Sequence, residues 1–551
     1  MNAADAQFAS MRAFAASLAS NGVTDVCVSP GSRSTPLALA VAREEGLRVH
    51  VHLDERSSAF FALGLAKATG RAVAVVTTSG TAVAELFPAV VEASMARVPL
   101  LLLTADRPEE LRGVGANQTI DQRGIFGSHV AWTVDAPVPD GEDLEQWRDL
   151  AHHAVRRAVV GPPRPVHLNL PFREPLVPSA DVPVARGAHG EPPHEDVRAA
   201  TDADVAALAP FLASSRGLVL AGSLRRPAPS VVALAEALGW PLAAEPTSGL
   251  RVPGALTAGR FLLGDAAFLA AHGPEVVLQV GAAATSRAGL ALVGSGVRLA
   301  IVDPDQLVAD PTRSAQVTVH ADPESLATRL LAGIDPAARA AARAERDAWR
   351  AADAAARAAV DDYLASFADP FEGRVARDVA ARLPMGSTLV VGSSMPVRDL
   401  DTFMVPRPGL RILANRGASG IDGVVSTAFG VAASGEPTTA LIGDLTFLHD
   451  VGGFLWNARR AAPVTFVVVN NDGGGIFPLL GQRDLPVGEL EGLFVTPHGL
   501  DLARVAEAGG ALHLRVDRAD ALNGALDRAR ESGSTAVVEV VVDRDRNVAR
   551  Q

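Results

Sequence analysis

Asp444 and Asn471, 27 positions apart, carry the clearest chemical signal in this sequence. Gly443 and Asp444 close the apolar run ALIGD, and Asn471 closes the next such run, VTFVVVNN. A carboxylate, an amide oxygen and a nearby carbonyl are hard oxygen donors suited to an octahedral magnesium that also takes two oxygens from a diphosphate. With one helix between the two strand ends, both donors reach the same carboxyl edge of a parallel sheet. Glycines follow at 473, 474 and 475, where a backbone without Cβ atoms lets a ligand come close. Either dipeptide alone also suits a turn or a cap. The pair at this distance points to a ligand site. Neither a P-loop nor a G-x-G-x-x-G run follows any strand, so nucleotide binding through those devices has no support.

Such donors need strand ends to hold them. Short β-branched runs that end in Gly, Ser, Asp or Asn alternate with Ala-rich helical patterns, which reads as an α/β chain with parallel sheets. One set of runs lies at 25–28, 73–76 and 100–103, and a second at 218–220, 276–280, 299–302 and 317–319. A third lies at 389–391, 440–442, 466–469 and 537–542. These predict three doubly wound parallel-sheet domains, over 1–180, 181–345 and 346–551. The Pro-rich, charged stretch at 171–193 reads as the first linker. Positions 336–363, rich in Ala and Arg with no Gly or Pro after Pro336, predict a long helix that leads into the last domain. The first and third sections could be similar folds of diverged sequence.

Composition narrows the function classes. The 551 residues have room for three or four domains, and 48% apolar with 20% charged residues excludes general disorder. A net charge of −12 argues against a nucleic-acid coat or a membrane-surface protein. No apolar run approaches the roughly 18 residues of a membrane span. Phe8, Met11, Phe14 and Leu18 make one face of an amphipathic helix rather than a leader. Cys27 is the only cysteine, which excludes an intrachain disulfide and a cysteine-rich zinc site and fits a reducing, cytoplasmic setting. Lys67 is the only lysine, hence the only Schiff-base candidate.

The Asp444 and Asn471 pair resembles the G-D…N-N motif of thiamine diphosphate enzymes, and the three α/β sections match their pyrimidine-binding, central and diphosphate-binding domains. The resemblance spans nearly the whole chain. Leu445 departs from it, standing where many members carry a second glycine. Four segments narrow the branch: SPGSRSTPLALA at 29–40, LTADRPEELRGVGANQTIDQ at 103–122, NRGASGIDG at 415–423 and VVNNDGGGIF at 468–477. Together they are similar to the 2-succinyl-5-enolpyruvyl-6-hydroxy-3-cyclohexene-1-carboxylate synthase family of menaquinone biosynthesis. The resemblance implies a transferase that decarboxylates 2-oxoglutarate on thiamine diphosphate and adds the succinyl carbanion to isochorismate, with Mg²⁺, or Mn²⁺, as the metal. It also implies a homodimer or homotetramer with the active site at the subunit interface, and no nucleic-acid partner.

Chemistry of that kind needs a carboxylic acid beside the aminopyrimidine ring. Glu55 is the candidate, on the turn between the run at 49–53 and the helical RSSAFFALGLAKATG, where a dry cleft would raise its pKa. Asp54 and Glu55 also suit a helix N-terminus through its dipole. By resemblance, Asp444, Asn471 and the Gly473 carbonyl hold the metal. Gly443, Leu445, Ser394, Ile421, Ile476 and Phe477 complete the cofactor set, with Ile421 as the wedge that bends the cofactor. Both substrates are dicarboxylates, which guanidinium forks grip well. The resemblance turns Arg33, Arg107, Arg398 and Arg416 toward them, with Ser32, Asn117, Gln118 and Ser394 as polar partners and Gln118 assisting proton steps. Arg287 is the contribution of the central domain. Arg33 precedes a helix that Thr35 can cap and Pro36 can start. His449 and His498 read as structural. One alternative is another 2-oxo-acid carboligase, such as an acetolactate synthase, whose substrates carry fewer carboxylates. The other is a non-catalytic regulator on the same fold, which would be expected to lack Glu55 or a metal ligand.

Overall fold

A computed structural model describes residues 2–179, 191–307 and 310–551, so the expected boundary at 180/181 lies outside the described residues. Three parallel sheets are built. The first contains β1 (Asp25–Val28), β2 (Arg48–Val51), β3 (Val73–Thr77), β4 (Leu100–Asp106), β5 (Trp132–Asp135) and β6 (Val166–Pro171), in the order β2-β1-β3-β4-β6-β5. The central sheet contains β7 (Gly217–Ala221), β8 (Leu242–Ala244), β9 (Val276–Val280), β10 (Arg298–Val302) and β11 (Ala315–Val319), in the order β11-β10-β9-β7-β8. The third contains β12 (Ser387–Val391), β13 (Leu410–Ala414), β14 (Thr438–Gly443), β15 (Val464–Asn470), β16 (Leu512–Val516) and β17 (Ala536–Val541), in the order β13-β12-β14-β15-β17-β16. First and third sheets therefore share one strand order, as expected of similar folds with diverged sequence. β3 (VAVVT) and β4 (LLLLTAD) are buried throughout, because helices cover both faces of a doubly wound sheet and leave no wet side for alternation.

The first and third units are joined inside the chain by two helices, Glu55–Thr69 and Val424–Ala433. Phe60, Phe61 and Leu63 of one share an apolar core with Val424, Val425 and Phe429 of the other. Two glycines set their closeness. A Cβ on Gly64 would lie 2.0 Å from the Thr427 carbonyl oxygen, and one on Gly430 would lie 2.0 Å from that of Phe61. The backbones thus meet where any other side chain would hold them apart.

The expected long helix is Ala340–Ala365, preceded by a 3-10 turn at Pro336–Arg339. Its first half packs on the central unit through Ala342 and Trp349, and its last turn packs Leu364 against Phe371 and Phe403 of the third unit. A boundary at 345/346 falls inside this rod, which is shared by the two units. No helix among the described residues is long and apolar enough to cross a membrane.

Candidate active site

The carboxyl edge of the third sheet opens into a cleft with an empty volume of about 730 Å³. β14 ends at Gly443 and passes directly into a short helix whose first residue is Asp444; β15 ends one residue before Asn471. Gly443, Asp444, Leu445, Asn471, Ile421, Ser394, Ile476 and Phe477 all line this cleft. Gly473 lies under it, its N–H donating to Asp444 Oδ2 at 2.9 Å. Asp444 Oδ1 accepts the Leu445 N–H at 2.6 Å, and burial raises the Asp444 pKa despite these bonds. Gly473 has φ +132°, and a Cβ there would stand 2.3 Å from the Val495 carbonyl oxygen. Only glycine fits that turn.

Asn471 is held in one sense only. Its Nδ2 donates to Glu372 Oε1 at 2.7 Å, while its Oδ1 is buried and has no hydrogen-bond partner. A buried amide oxygen without a donor is costly, and buried polar groups are almost always satisfied. A cation meets that need. Asp444, the orphan Asn471 oxygen and the backbone around the glycines are hard oxygen donors, so the residues fit a magnesium carrying a diphosphate. Among the described residues there is no cluster of three or more His, Cys, Asp or Glu that could hold a metal.

Three participants give no signal in the sequence. Glu372 starts the helix Glu372–Arg382 and is pushed up to about 7 by burial, against its bond to Asn471. Asp399, also in the cleft wall, is raised well above its ordinary value by burial and by Glu372, and accepts from the Gln551 side chain at 2.9 Å. His498 was expected to be structural, yet its Nε2 lies 3.3 Å from Asp444 Oδ2. The Leu500 N–H donates to its Nδ1, so the imidazole proton sits on Nε2 and points at the carboxylate. His449 is exposed and contributes its carbonyl to Arg56 at 3.1 Å.

Glu55 is the first residue of its helix, after Asp54, whose side chain caps the Arg56 N–H. Burial raises its pKa, and the neighbouring Asp54 and Glu85 charges add to the rise. Among the described residues, none of the first unit lines the third-unit cleft, and Glu55 stands outside the lining that holds Asp444 and Asn471.

The arginines fall into two groups. Arg33 and Arg107 are close enough that, after burial, Arg33 is the largest influence lowering the Arg107 pKa. Arg107 Nη1 hydrogen-bonds Ser79 Oγ, Ser79 Oγ also bonds the Gln118 carbonyl at 3.0 Å, and Gln118 Nε2 donates to the Ser79 carbonyl at 2.9 Å. Gln118 has φ +54°, and it is exposed along with Asn117 and Ser32. Arg33 is paired with Glu174 at 3.2 Å. The expected cap is displaced by one residue: Ser34 holds the N-cap position, and Thr35, already in the first turn, donates its hydroxyl back to the Ser32 carbonyl at 2.7 Å. The second group is Arg287, Arg398 and Arg416. Burial and then the Arg416, Arg260 and Arg287 charges lower the Arg398 pKa, so each of the three stands within electrostatic reach of Arg398, while burial lowers the Arg416 pKa against the Glu245 and Glu92 carboxylates. Arg398 rides on the helix Met395–Phe403, which begins in the cleft wall after Ser394, at φ +74°. Among the described residues, Arg287, Arg398 and Arg416 form no salt bridge.

Two family models match the chain. The N-terminal TPP binding domain of thiamine pyrophosphate enzymes covers residues 10–125, and their C-terminal TPP binding domain covers 398–540. The chain is 44% identical to a protein of Chloroflexus aurantiacus, over 97% of this chain and 94% of that one. It is 43% identical to a protein of Geobacillus kaustophilus, over 96% of this chain and 94% of that one. Both relatives are named 2-succinyl-5-enolpyruvyl-6-hydroxy-3-cyclohexene-1-carboxylate synthase. A solved benzoylformate decarboxylase from Polynucleobacter necessarius superimposes with a TM-score of 0.75 at 18% identity, covering 97% of this chain and 98% of that one, and so shares the three-unit fold.

Proposed function

The chain belongs to the 2-succinyl-5-enolpyruvyl-6-hydroxy-3-cyclohexene-1-carboxylate synthase family of thiamine pyrophosphate enzymes, and from that premise we propose how its residues divide the work. It condenses 2-oxoglutarate with isochorismate, with loss of carbon dioxide, in menaquinone biosynthesis, and it uses thiamine diphosphate. The reaction makes it a transferase of the carboligase kind. When bound, the cofactor supplies a stabilised carbon centre at which a 2-oxo acid loses carbon dioxide and its remaining fragment becomes nucleophilic.

Asp444, Asn471 and the Gly473 carbonyl would hold Mg²⁺ and, through it, the diphosphate. The unpartnered Asn471 Oδ1 supports that assignment. Ser394, Ile421, Leu445, Ile476 and Phe477 shape the same cleft around the cofactor. Glu55, whose carboxyl pKa is raised by burial, would hydrogen-bond the aminopyrimidine and pass a proton to and from it. Its turn lies outside the cleft of its own chain and carries Leu53, 67% exposed, beside it, which supports a homo-oligomer in which a second chain supplies the missing half.

The observation that supports the substrate reading is the second arginine group: Arg287 and Arg416 act on Arg398, whose helix begins in the cleft wall, and among the described residues none of the three forms a salt bridge. Like charges so placed repel one another until anions arrive. Two dicarboxylate substrates supply those anions, and a monocarboxylate pair such as two pyruvates leaves most of the charge unmatched. Arg33, Arg107, Gln118, Ser32 and Asn117, on the first unit, would take the remaining polar groups. Cys27, buried and single, suits a reducing cytoplasm.

The test is product identification by mass spectrometry after incubation with thiamine diphosphate, Mg²⁺, 2-oxoglutarate and isochorismate, with carbon dioxide release measured in parallel from 2-oxoglutarate and from pyruvate. The expected product carries the succinyl unit on the isochorismate ring. An acetolactate-type product from pyruvate, with 2-oxoglutarate inert, would overturn the assignment.

A further inference from the structure

We propose that Lys67 and Glu92, both on the first unit, are positioning residues that set the substrate-binding loop at 415–422 of the third unit in the same chain. The inference rests on the reading that Arg416 grips a substrate carboxylate. The two side chains are nearly buried, 9% and 4% exposed, and lie 3.0 Å apart. Lys67 Nζ donates to Glu92 Oε1, to the Ala414 carbonyl at 2.9 Å and to Asn415 Oδ1 at 2.8 Å. An ammonium has three protons to give, so its donor capacity is filled. Glu92 in turn accepts the Gly417 N–H at 3.0 Å through Oε1 and the Ala418 N–H at 2.7 Å through Oε2.

These bonds bracket Arg416 on both sides in sequence. Ala414 and Asn415 are fixed before it, Gly417 and Ala418 after it, so the backbone at Arg416 has little freedom left. Asn415 is fixed further by Thr427 Oγ1 at 3.0 Å and by Ser393 Oγ, which donates to its carbonyl at 3.1 Å. Gly417 sits against the helix Phe87–Ala96 so closely that a Cβ there would lie 2.7 Å from the Glu92 carbonyl oxygen and 2.9 Å from the Ala96 nitrogen. The same loop continues to Ile421 in the cofactor cleft. Two charged groups outside the lining of that cleft thus determine where the Arg416 backbone, and with it the guanidinium, stands. Both charges are neutralised and every oxygen of the pair is used, which is the condition under which a buried ion pair is tolerated. Its contribution is direction of the loop rather than net stability.

A double-mutant cycle on the holoenzyme tests this. Glu92→Gln keeps the volume and one acceptor but drops the charge that Lys67 and the two N–H groups need. Alone, it should raise KM for isochorismate or lower kcat/KM by at least tenfold. Thiamine diphosphate affinity by calorimetry and the circular dichroism spectrum should stay as in the wild type. In an Arg416→Ala background the same change should cost less than twofold, because the group it positions is gone. Lys67→Met should give the same pattern and Lys67→Arg a partial rescue, and these variants carry the cycle if Glu92→Gln does not fold. Equal losses in both backgrounds would overturn the positioning role and leave a fold-stabilising ion pair. Wild-type kinetics in Arg416→Ala alone would instead overturn the carboxylate reading beneath it, so the two failures are separable.

Discussion

Replacing Asn471 by Ala separates the metal site from the fold, and the structure sets the size of each effect. Without a cation, Asn471 contributes two opposed terms. The buried, unpartnered Oδ1 costs roughly 1–3 kcal/mol, a penalty that Ala removes. The Nδ2 bond to Glu372 at 2.7 Å is lost, at a cost of about 1–3 kcal/mol. The terms nearly cancel, so the cofactor-free variant should be within about 2 kcal/mol of the wild type. With cofactor the outcomes part. At a cofactor and Mg²⁺ level 100 times the dissociation constant, the wild type gains about 2.7 kcal/mol, equivalent to a midpoint rise of roughly 2–3 °C for cooperative unfolding of a chain of this length. Asn471→Ala should show little of that rise. Scanning calorimetry of both proteins, with Mg²⁺ alone, thiamine diphosphate alone and both together, reads all the terms. A variant that keeps the full rise with both ligands would refute the assignment of Oδ1 as a metal ligand. One that unfolds many degrees below the cofactor-free wild type would refute the balance of the two terms.

Three other outcomes are expected. Glu55→Gln should still bind cofactor but slow exchange of the thiazolium C2 proton, followed by NMR, by at least about 10²-fold, since the amide cannot pass a proton; an unchanged exchange rate would leave Glu55 a helix-end residue only. Arg398→Ala should cost about 2–5 kcal/mol in kcat/KM for the dicarboxylates, with Arg398→Lys restoring part of it and cofactor affinity unaltered; wild-type kinetics for both substrates would count against the arginine pocket. Asp450 is pushed up to about 6 by burial, from an ordinary value of 3.8, and joins the first and third units through Ser426 and Ser57. Between pH 3.8 and 6 the folded chain keeps a proton that the unfolded chain releases, so wild-type stability should fall as pH rises through that window and level off above it, by up to about 3 kcal/mol. Urea midpoints of Asp450→Asn should lack this slope, and an identical slope in both proteins would place the titration elsewhere.

What the sequence made legible was local. Asp444 and Asn471 stand at the ends of consecutive strands, and the spacing of one helix between them suffices to bring them to one sheet edge. Glu55 is readable because a helix must begin there. The shared strand order of the first and third sheets shows through their repeated strand-and-turn pattern although their side chains have diverged. Glu372 was out of reach because its partner is 99 residues away and its own segment carries no pattern. His498 arrives from a loop whose course nothing in the sequence dictates. Thr35 was misplaced as a cap because the helix starts one residue earlier than its hydroxyl suggested, and the 345/346 division failed to anticipate a rod shared by two units. Arg398 and Arg416 were identified by family likeness, and their approach to Arg287 depends on how the central and third units pack.

The chain's only lysine makes the interdomain clamp observable by a route that needs neither substrate nor cofactor. A lysine-specific endoproteinase has one possible cleavage point in all 551 residues, after Lys67, in the last turn of the helix Glu55–Thr69. In the closed arrangement that peptide bond is helical and its side chain is engaged on three sides, so it is no substrate. Digestion therefore reports opening of this one junction: each cut chain yields the same two fragments, and the rate at which they form measures how often the first unit lets go of the loop that carries Arg416.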